Sequence, residues 1–189
     1  MIKILVSDMD NTLYSWVDFI VPSLEAMVDS LEQTTDRPRI EIIQSLKEVY
    51  DRHGSNEYPF AIQESALFER FSYDFHSFNK LVIDPARKAF STARRKYQSL
   101  YPRVESSLKE LKPRLEHMVL LTDAPRNAAE SRLKQFDLED YFEALYCMPG
   151  YQFPRGRIDP EILQKDKQGF YKTSVKVVEL DNHWQKPDP

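Results

Sequence analysis

Ile4-Leu5-Val6-Ser7-Asp8-Met9-Asp10-Asn11-Thr12 opens the chain with an apolar run that stops abruptly in acid. A short buried run with a polar ending is the pattern of a parallel strand whose carboxyl end opens into a loop. In α/β sheets that end is where ligands bind. Residues i and i+2 at the end of a strand project to the same side, so Asp8 and Asp10 can face one small volume while Met9 turns into the core. Two carboxylates so close repel each other unless a cation or a shared proton intervenes. Such a pair can separate in pKa, leaving one as nucleophile and the other as proton donor. Mg2+ is the natural partner, because it takes one or two carboxylates and completes its shell with water and phosphate oxygens. The same letters also describe a solvated acidic loop.

Outward from this stretch the periodicity changes twice. Between Val21 and Tyr97 it is helical: Leu24, Met27, Val28 and Leu31 recur at three and four residues, then Ile42, Ile43, Leu46, Val49 and Tyr50. A loop at His53-Gly54-Ser55-Asn56 separates these from a third stretch carrying Ala66, Leu67, Phe68, Phe71, Phe75 and Phe78. A fourth, with Ala86, Ala89, Phe90, Ala93 and Tyr97, follows Pro85 at a helix start. The phenylalanines read as the core of a helical bundle. After Tyr101-Pro102 a strand-and-helix alternation returns: a helix with Val104, Leu108 and Leu111, a strand at Met118 to Leu121, a helix with Ala128, Ala129, Leu133 and Phe136, and a strand at Ala144 to Cys147. That order implies parallel pairing through right-handed crossovers. Pro149 to Gly156 reads as loop, Asp159 to Leu163 as a turn of helix, and Tyr171 to Leu180 as a half-exposed strand or hairpin.

Composition narrows the function classes. The chain has 189 residues, 41% hydrophobic and 30% charged, with 12% aromatic, which is a folded globular balance. The longest aliphatic runs fall far short of a bilayer span, and Asp8 interrupts the N-terminal apolar stretch before it could act as a signal-peptide core. A cytoplasmic protein is expected, with no membrane partner. A net charge of −4 offers no general attraction to nucleic acid. With 4 Gly and neither GxGxxG nor GxxxxGK[ST], Gly-rich phosphate loops are absent. Cys147 stands alone and reads as a small buried residue, and His53, His76, His117 and His183 lie at no metal-ligand spacing.

Two further elements carry chemistry. In Leu121-Thr122-Asp123-Ala124-Pro125 a strand passes toward a helix start, where the Thr122 hydroxyl and the following amides could hold an anion. An ordinary N-cap followed by proline has the same letters. Lys186, in Lys-Pro-Asp-Pro, supplies an ammonium before a rigid backbone, or is a solvated lysine. Taken in this order, Asp8-Met9-Asp10-Asn11-Thr12-Leu13, Thr122 and Lys186 with Pro187 resemble the first three motifs of the haloacid dehalogenase superfamily of phosphohydrolases. Asn11 stands where Gly is commonest in that family, and the family's fourth motif, an acidic loop that completes the Mg2+ site, is missing.

The resemblance implies an α/β fold, a Rossmann-like parallel sheet, with a core of residues 1–13 and 99–189 that is incomplete at its C-terminal end. A helical cap of residues 14–98 is inserted after the first motif, and Tyr101-Pro102-Arg103-Val104 marks the return to the core. It implies a Mg2+-dependent phosphomonoester hydrolase working on a small phosphorylated substrate through an aspartyl-phosphate. Asp8 would attack phosphorus, Asp10 would transfer protons, and Thr122 and Lys186 would meet charge on the phosphoryl oxygens. Asp8 and the Asp10 carbonyl would hold Mg2+, and Asn11, Thr12 and Asp123 would contact substrate. Tyr14 and Trp16 would line the entrance or else pack as core aromatics. An acid at Asp10 argues for a phosphatase within the family. A non-catalytic binding protein and a metal-independent 2-haloacid dehalogenase are the alternatives. The missing motif further suggests a fragment of a longer product, unless Tyr171 to Leu180 folds back beside the first strand.

Overall fold

Short apolar runs ending in turn residues become strands here, and the longer periodic segments become helices. The computed structural model describes residues 2–69, 74–157, 159–167 and 172–181. In chain order these form β1 (Ile4–Ser7), α1 (Trp16–Thr35), α2 (Arg39–His53), α3 (Ala61–Glu64), α4 (Ala66–Glu69), α5 (Phe75–Phe78), a π-helical turn (Asn79–Ile83), α6 (Asp84–Tyr97), α7 (Val104–Leu111), β2 (His117–Pro125), α8 (Arg126–Gln135), β3 (Ala144–Met148), α9 (Pro160–Lys167) and β4 (Lys176–Glu179). They fall into two compact units, one of residues 1–16, 98–151 and 168–189, the other of 17–97 and 152–167.

The first unit holds a sheet of order β1-β2-β3-β4, parallel throughout. Along β2 the period-two alternation buries Met118, Leu120, Thr122 and Ala124 and turns the intervening residues outward. In β3, Ala144, Leu145, Cys147 and Met148 are all buried, as expected of an interior strand covered on both faces. Among the described residues β1 is one edge, and Ile4 and Val6 remain exposed on it. Two expectations for the sheet need correction. The second strand does not stop at Leu121 but continues to Pro125 through a register shift against β3, so Thr122 sits in the strand and α8 begins four residues later. The strand within Tyr171 to Leu180 is Lys176–Glu179, and it pairs with β3 at the edge opposite β1, not beside β1. Its preceding loop is held there by α8 and the turn after it: Glu130 accepts from the Thr173 amide at 3.3 Å, and Glu139 accepts from Thr173 Oγ1 at 2.5 Å and the Ser174 amide at 2.8 Å.

The second unit is helical. Phe19, Ile20 and Leu31 of α1, Ile42 and Leu46 of α2, and Phe78, Val82 and Ile83 are buried. Gly54 ends α2 in the left-handed region at φ 64°, where a side chain would be strained. The expected third stretch holds the short helices α4 and α5, with Phe68 packed against Phe75 and Phe78 at 5.9 and 5.1 Å, and α3 precedes it. Phe71 lies outside the described residues. Pro85 does not begin a separate helix, because Phe75 to Tyr97 is one helical run. A proline ring excludes the carbonyl four residues back, and the wider π turn just before Pro85 is one way a helix accommodates this. Residues 152–167 fall in this unit. Phe153 packs on Phe60, Arg157 lies 4.7 Å over the Phe68 ring and donates to the Gln63 carbonyl at 3.1 Å, and Asp159 accepts from Asn79 at 2.9 Å.

Candidate active site

The site grows from the end of β1. Met9 is fully buried, as the i, i+2 argument requires, and Asp8 and Asp10 flank it half-buried. The chain then turns tightly around the Met9 carbonyl, which accepts from the Thr12 and Leu13 amides at 3.3 and 2.9 Å. Asn11 takes φ 59° in this turn, a conformation Gly and Asn tolerate best, which explains why Asn can stand at this position. Its Oδ1 also accepts the Trp16 amide at 3.0 Å, satisfying one of the unpaired donors at the start of α1. Thr12, exposed, donates its hydroxyl to Asp8 Oδ2 at 3.3 Å.

Asp10 is held from the inside by groups the linear sequence scatters. The Tyr14 hydroxyl donates to Asp10 Oδ1 at 2.5 Å. The Arg132 guanidinium, on α8, stands 3.0 Å from Oδ1 and donates to Oδ2 at 3.1 Å. Thr122 Oγ1 donates to Oδ2 at the long distance of 3.4 Å and accepts the Ala124 amide at 3.1 Å. Arg132 is 2% exposed. Its guanidinium lies 5.8 Å over the Tyr14 ring, whose other neighbour is Phe136 at 5.2 Å.

The expected site residues therefore sort into three groups. Asp10, Thr122 and Tyr14 meet in one cluster; Asp8, Asn11 and Thr12 occupy the turn beside it; Asp123 is exposed at the end of β2. Tyr14 is fully buried, so its hydroxyl addresses Asp10 rather than an entrance. Trp16 is half-buried and engages the turn through its main-chain amide. Lys186 lies outside the described residues. Arg132 is the member that sequence reasoning missed. Its signal was present: it lies three residues after Ala129 and one before Leu133, on the apolar stripe of α8, where a cation needs a buried acid.

The oxygen donors suit a hard cation such as Mg2+ in part. The Asp8 carboxylate and the Asp10 main-chain carbonyl are hard ligands of the required kind, whereas the Asp10 carboxylate is already committed to a guanidinium and a phenol. Among the described residues no cluster of three or more His, Cys, Asp or Glu could hold a metal ion. Nor is any helix among them long and apolar enough to cross a membrane.

The model of the haloacid dehalogenase-like hydrolases matches residues 2–165, which takes in the Asp8–Thr12 turn, Thr122 and Arg132. The chain belongs to this family. This hydrolase shares the fold of a 2-haloacid dehalogenase from Pseudomonas syringae pv. Tomato DC3000, at TM-score 0.55 and 19% identity over 95% of this chain and 77% of that one. It is more loosely similar to a haloacid dehalogenase-like family hydrolase from Xanthomonas campestris, at TM-score 0.44 and 16% identity over 96% and 73%. A predicted phosphoglycolate phosphatase from Haemophilus somnus 129pt matches at TM-score 0.41 and 15% identity over 89% and 72%. No curated protein matches the chain.

Proposed function

We propose that this hydrolase cleaves small phosphomonoesters, with Asp8 as nucleophile, Asp10 as proton-transfer group and Mg2+ as cofactor. The observation that carries the reading is the pair of carboxylates flanking buried Met9 at the end of β1, each in its own surroundings. Asp10 is clasped by Arg132 and Tyr14, and Asp8, half-buried, accepts the Thr12 hydroxyl at 3.3 Å. Paired carboxylates in different surroundings take different roles. Asp8 Oδ would attack phosphorus, forming an aspartyl-phosphate as the bond to the ester oxygen breaks, and protonated Asp10 would give that oxygen its proton. The Asp10 carboxylate so formed would take a proton from the water that hydrolyses the aspartyl-phosphate, which returns phosphate and restores both acids. Thr122 and Lys186 would meet charge on the equatorial oxygens. Mg2+ bound by Asp8 and the Asp10 carbonyl would neutralise phosphoryl charge and orient the group.

The test is phosphate release from nucleotides, sugar phosphates, phosphoglycolate and p-nitrophenyl phosphate, with and without EDTA, followed by acid-quench trapping of phosphoenzyme. Wild type should label and Asp8→Asn should not. Near-wild-type turnover by Asp8→Asn would sink the nucleophile assignment, and EDTA-resistant halide release from 2-chloropropionate would transfer the chain to the dehalogenases.

A further inference from the structure

We propose that Arg132 and Tyr14 are positioning residues for the Asp10 carboxylate, setting its orientation for the proton transfers that bracket the aspartyl-phosphate; this rests on the phosphatase reading. Packing alone gives no reason for a cation at this place. The neighbours of Arg132 on the inner face of α8 are Ala129 and Leu133, both fully buried, and a Leu or Met at 132 would continue that surface. Replacing a buried ion pair by apolar groups of similar volume is often neutral or stabilising, so the pair is poorly explained as a stabilising device. What it does achieve is geometric. Both Asp10 oxygens are engaged, Oδ1 by the phenol and the guanidinium and Oδ2 by the guanidinium, so rotation of the carboxylate breaks contacts on both sides at once. The donors are themselves fixed: Tyr14 is wedged between the guanidinium and Phe136, and Arg132 is carried by a helix packed against the sheet. A catalytic group held this way needs no search for its productive angle.

The two half-reactions use Asp10 differently, and this makes the idea testable. Expulsion of p-nitrophenolate needs little proton assistance, whereas hydrolysis of the aspartyl-phosphate needs the Asp10 base with every substrate. In Arg132→Lys, which keeps the charge but loses the planar fork, and in Tyr14→Phe, which keeps the ring but loses the donor, the second step should slow selectively. Rapid-quench measurements with p-nitrophenyl phosphate and Mg2+ should show steady-state kcat down by about 10-fold or more, consistent with general-base catalysis worth roughly 10²-fold or more. A burst of p-nitrophenol near one equivalent should precede it, with phosphoenzyme accumulating on acid quench. Melting curves establish that each variant is folded, and Tyr14→Phe carries the test if Arg132→Lys is not. Folded variants that lose activity without a burst, or that keep wild-type kcat, overturn the positioning role while leaving the phosphatase intact. A wild-type chain that releases no phosphate from any substrate overturns the phosphatase reading and this proposal together.

Discussion

Two carboxylates in this molecule are held by the same kinds of group, one in each unit. In the sheet unit Asp10 receives the Tyr14 hydroxyl and the Arg132 guanidinium. In the helical unit Glu64 receives the Tyr58 hydroxyl and lies 2.9 Å from His53 Nε2, with Arg52 at 3.7 Å, and the His53 ring stacks on Tyr58 at 3.5 Å. The difference lies in the cation and its exposure. The Arg132 side chain, a guanidinium, is 3% exposed, whereas the His53 imidazole is 27% exposed. The first cluster joins residues 122 apart in sequence and fixes the acid after β1; the second joins residues 11 apart and fastens the loop after α2. A buried clasp holds its carboxylate from inside the fold, and a half-exposed one suffices where only a loop end is being secured.

The comparison breaks most visibly at the buried cation. Arg132→Met takes the cation out of a largely buried ion pair and should cost about 3–5 kcal/mol in urea unfolding, while Asp10→Asn/Arg132→Met should recover most of it. A cost for the single variant as small as that of a surface substitution would show that Asp10 finds other compensation. The Glu64 cluster should yield less: Glu64→Gln is expected to cost about 1–2 kcal/mol at pH 7. Its pH dependence sharpens the contrast. Burial opposes ionisation of Glu64, but the hydrogen bonds from Tyr58 and His53 and the charges of His53 and Arg52 outweigh it and lower its pKa from 4.5. A lowered folded-state pKa means the unfolded chain binds the proton more readily, so this stabilisation is present in full above the unfolded value and is lost as pH falls through the folded one. The Tm gap between wild type and Glu64→Gln should therefore be widest near neutrality and close as pH drops below about 4.5. A gap that widened in acid would reverse the assignment. The smallest effect belongs to the turn beside the site. Asn11→Gly keeps the φ of 59° accessible and should cost only a few tenths of a kcal/mol, whereas Asn11→Ala loses both that conformation and the contact to the Trp16 amide and should cost about 1–2 kcal/mol by calorimetry.

How much of this was legible beforehand depended on whether the signal was local. The apolar run before Asp8, the parallel order of the strands, α1 and α2, and the burial of Met9 beside two half-exposed acids follow from periodicities of 2.0 and 3.6, which any short window displays. Boundaries were less legible, because strand propensity does not register where a neighbour's pairing carries a strand onward; β2 runs to Pro125 because β3 pairs with it there across the bulge. The single turns α3 and α4 were hidden for the same reason: phenylalanines at helical spacing fit either a continuous helix or several short ones packed on each other.

By itself the sequence determined the family, the parallel α/β plan and the two acids that follow the first strand, since these reside in a contiguous motif and in repeating patterns. Only the tertiary structure decided which partners those acids acquire. Arg132 reaches Asp10 because α8, the helix after β2, packs on β2 and β3 and so carries the guanidinium to the acid beyond the end of β1. Tyr14 meets Asp10 because the turn around the Met9 carbonyl loops the chain back alongside Asp10, where the two residues bridge in parallel. An ion pair across 122 residues leaves no spacing to read, because its geometry is set by loop closure and packing and not by any local period.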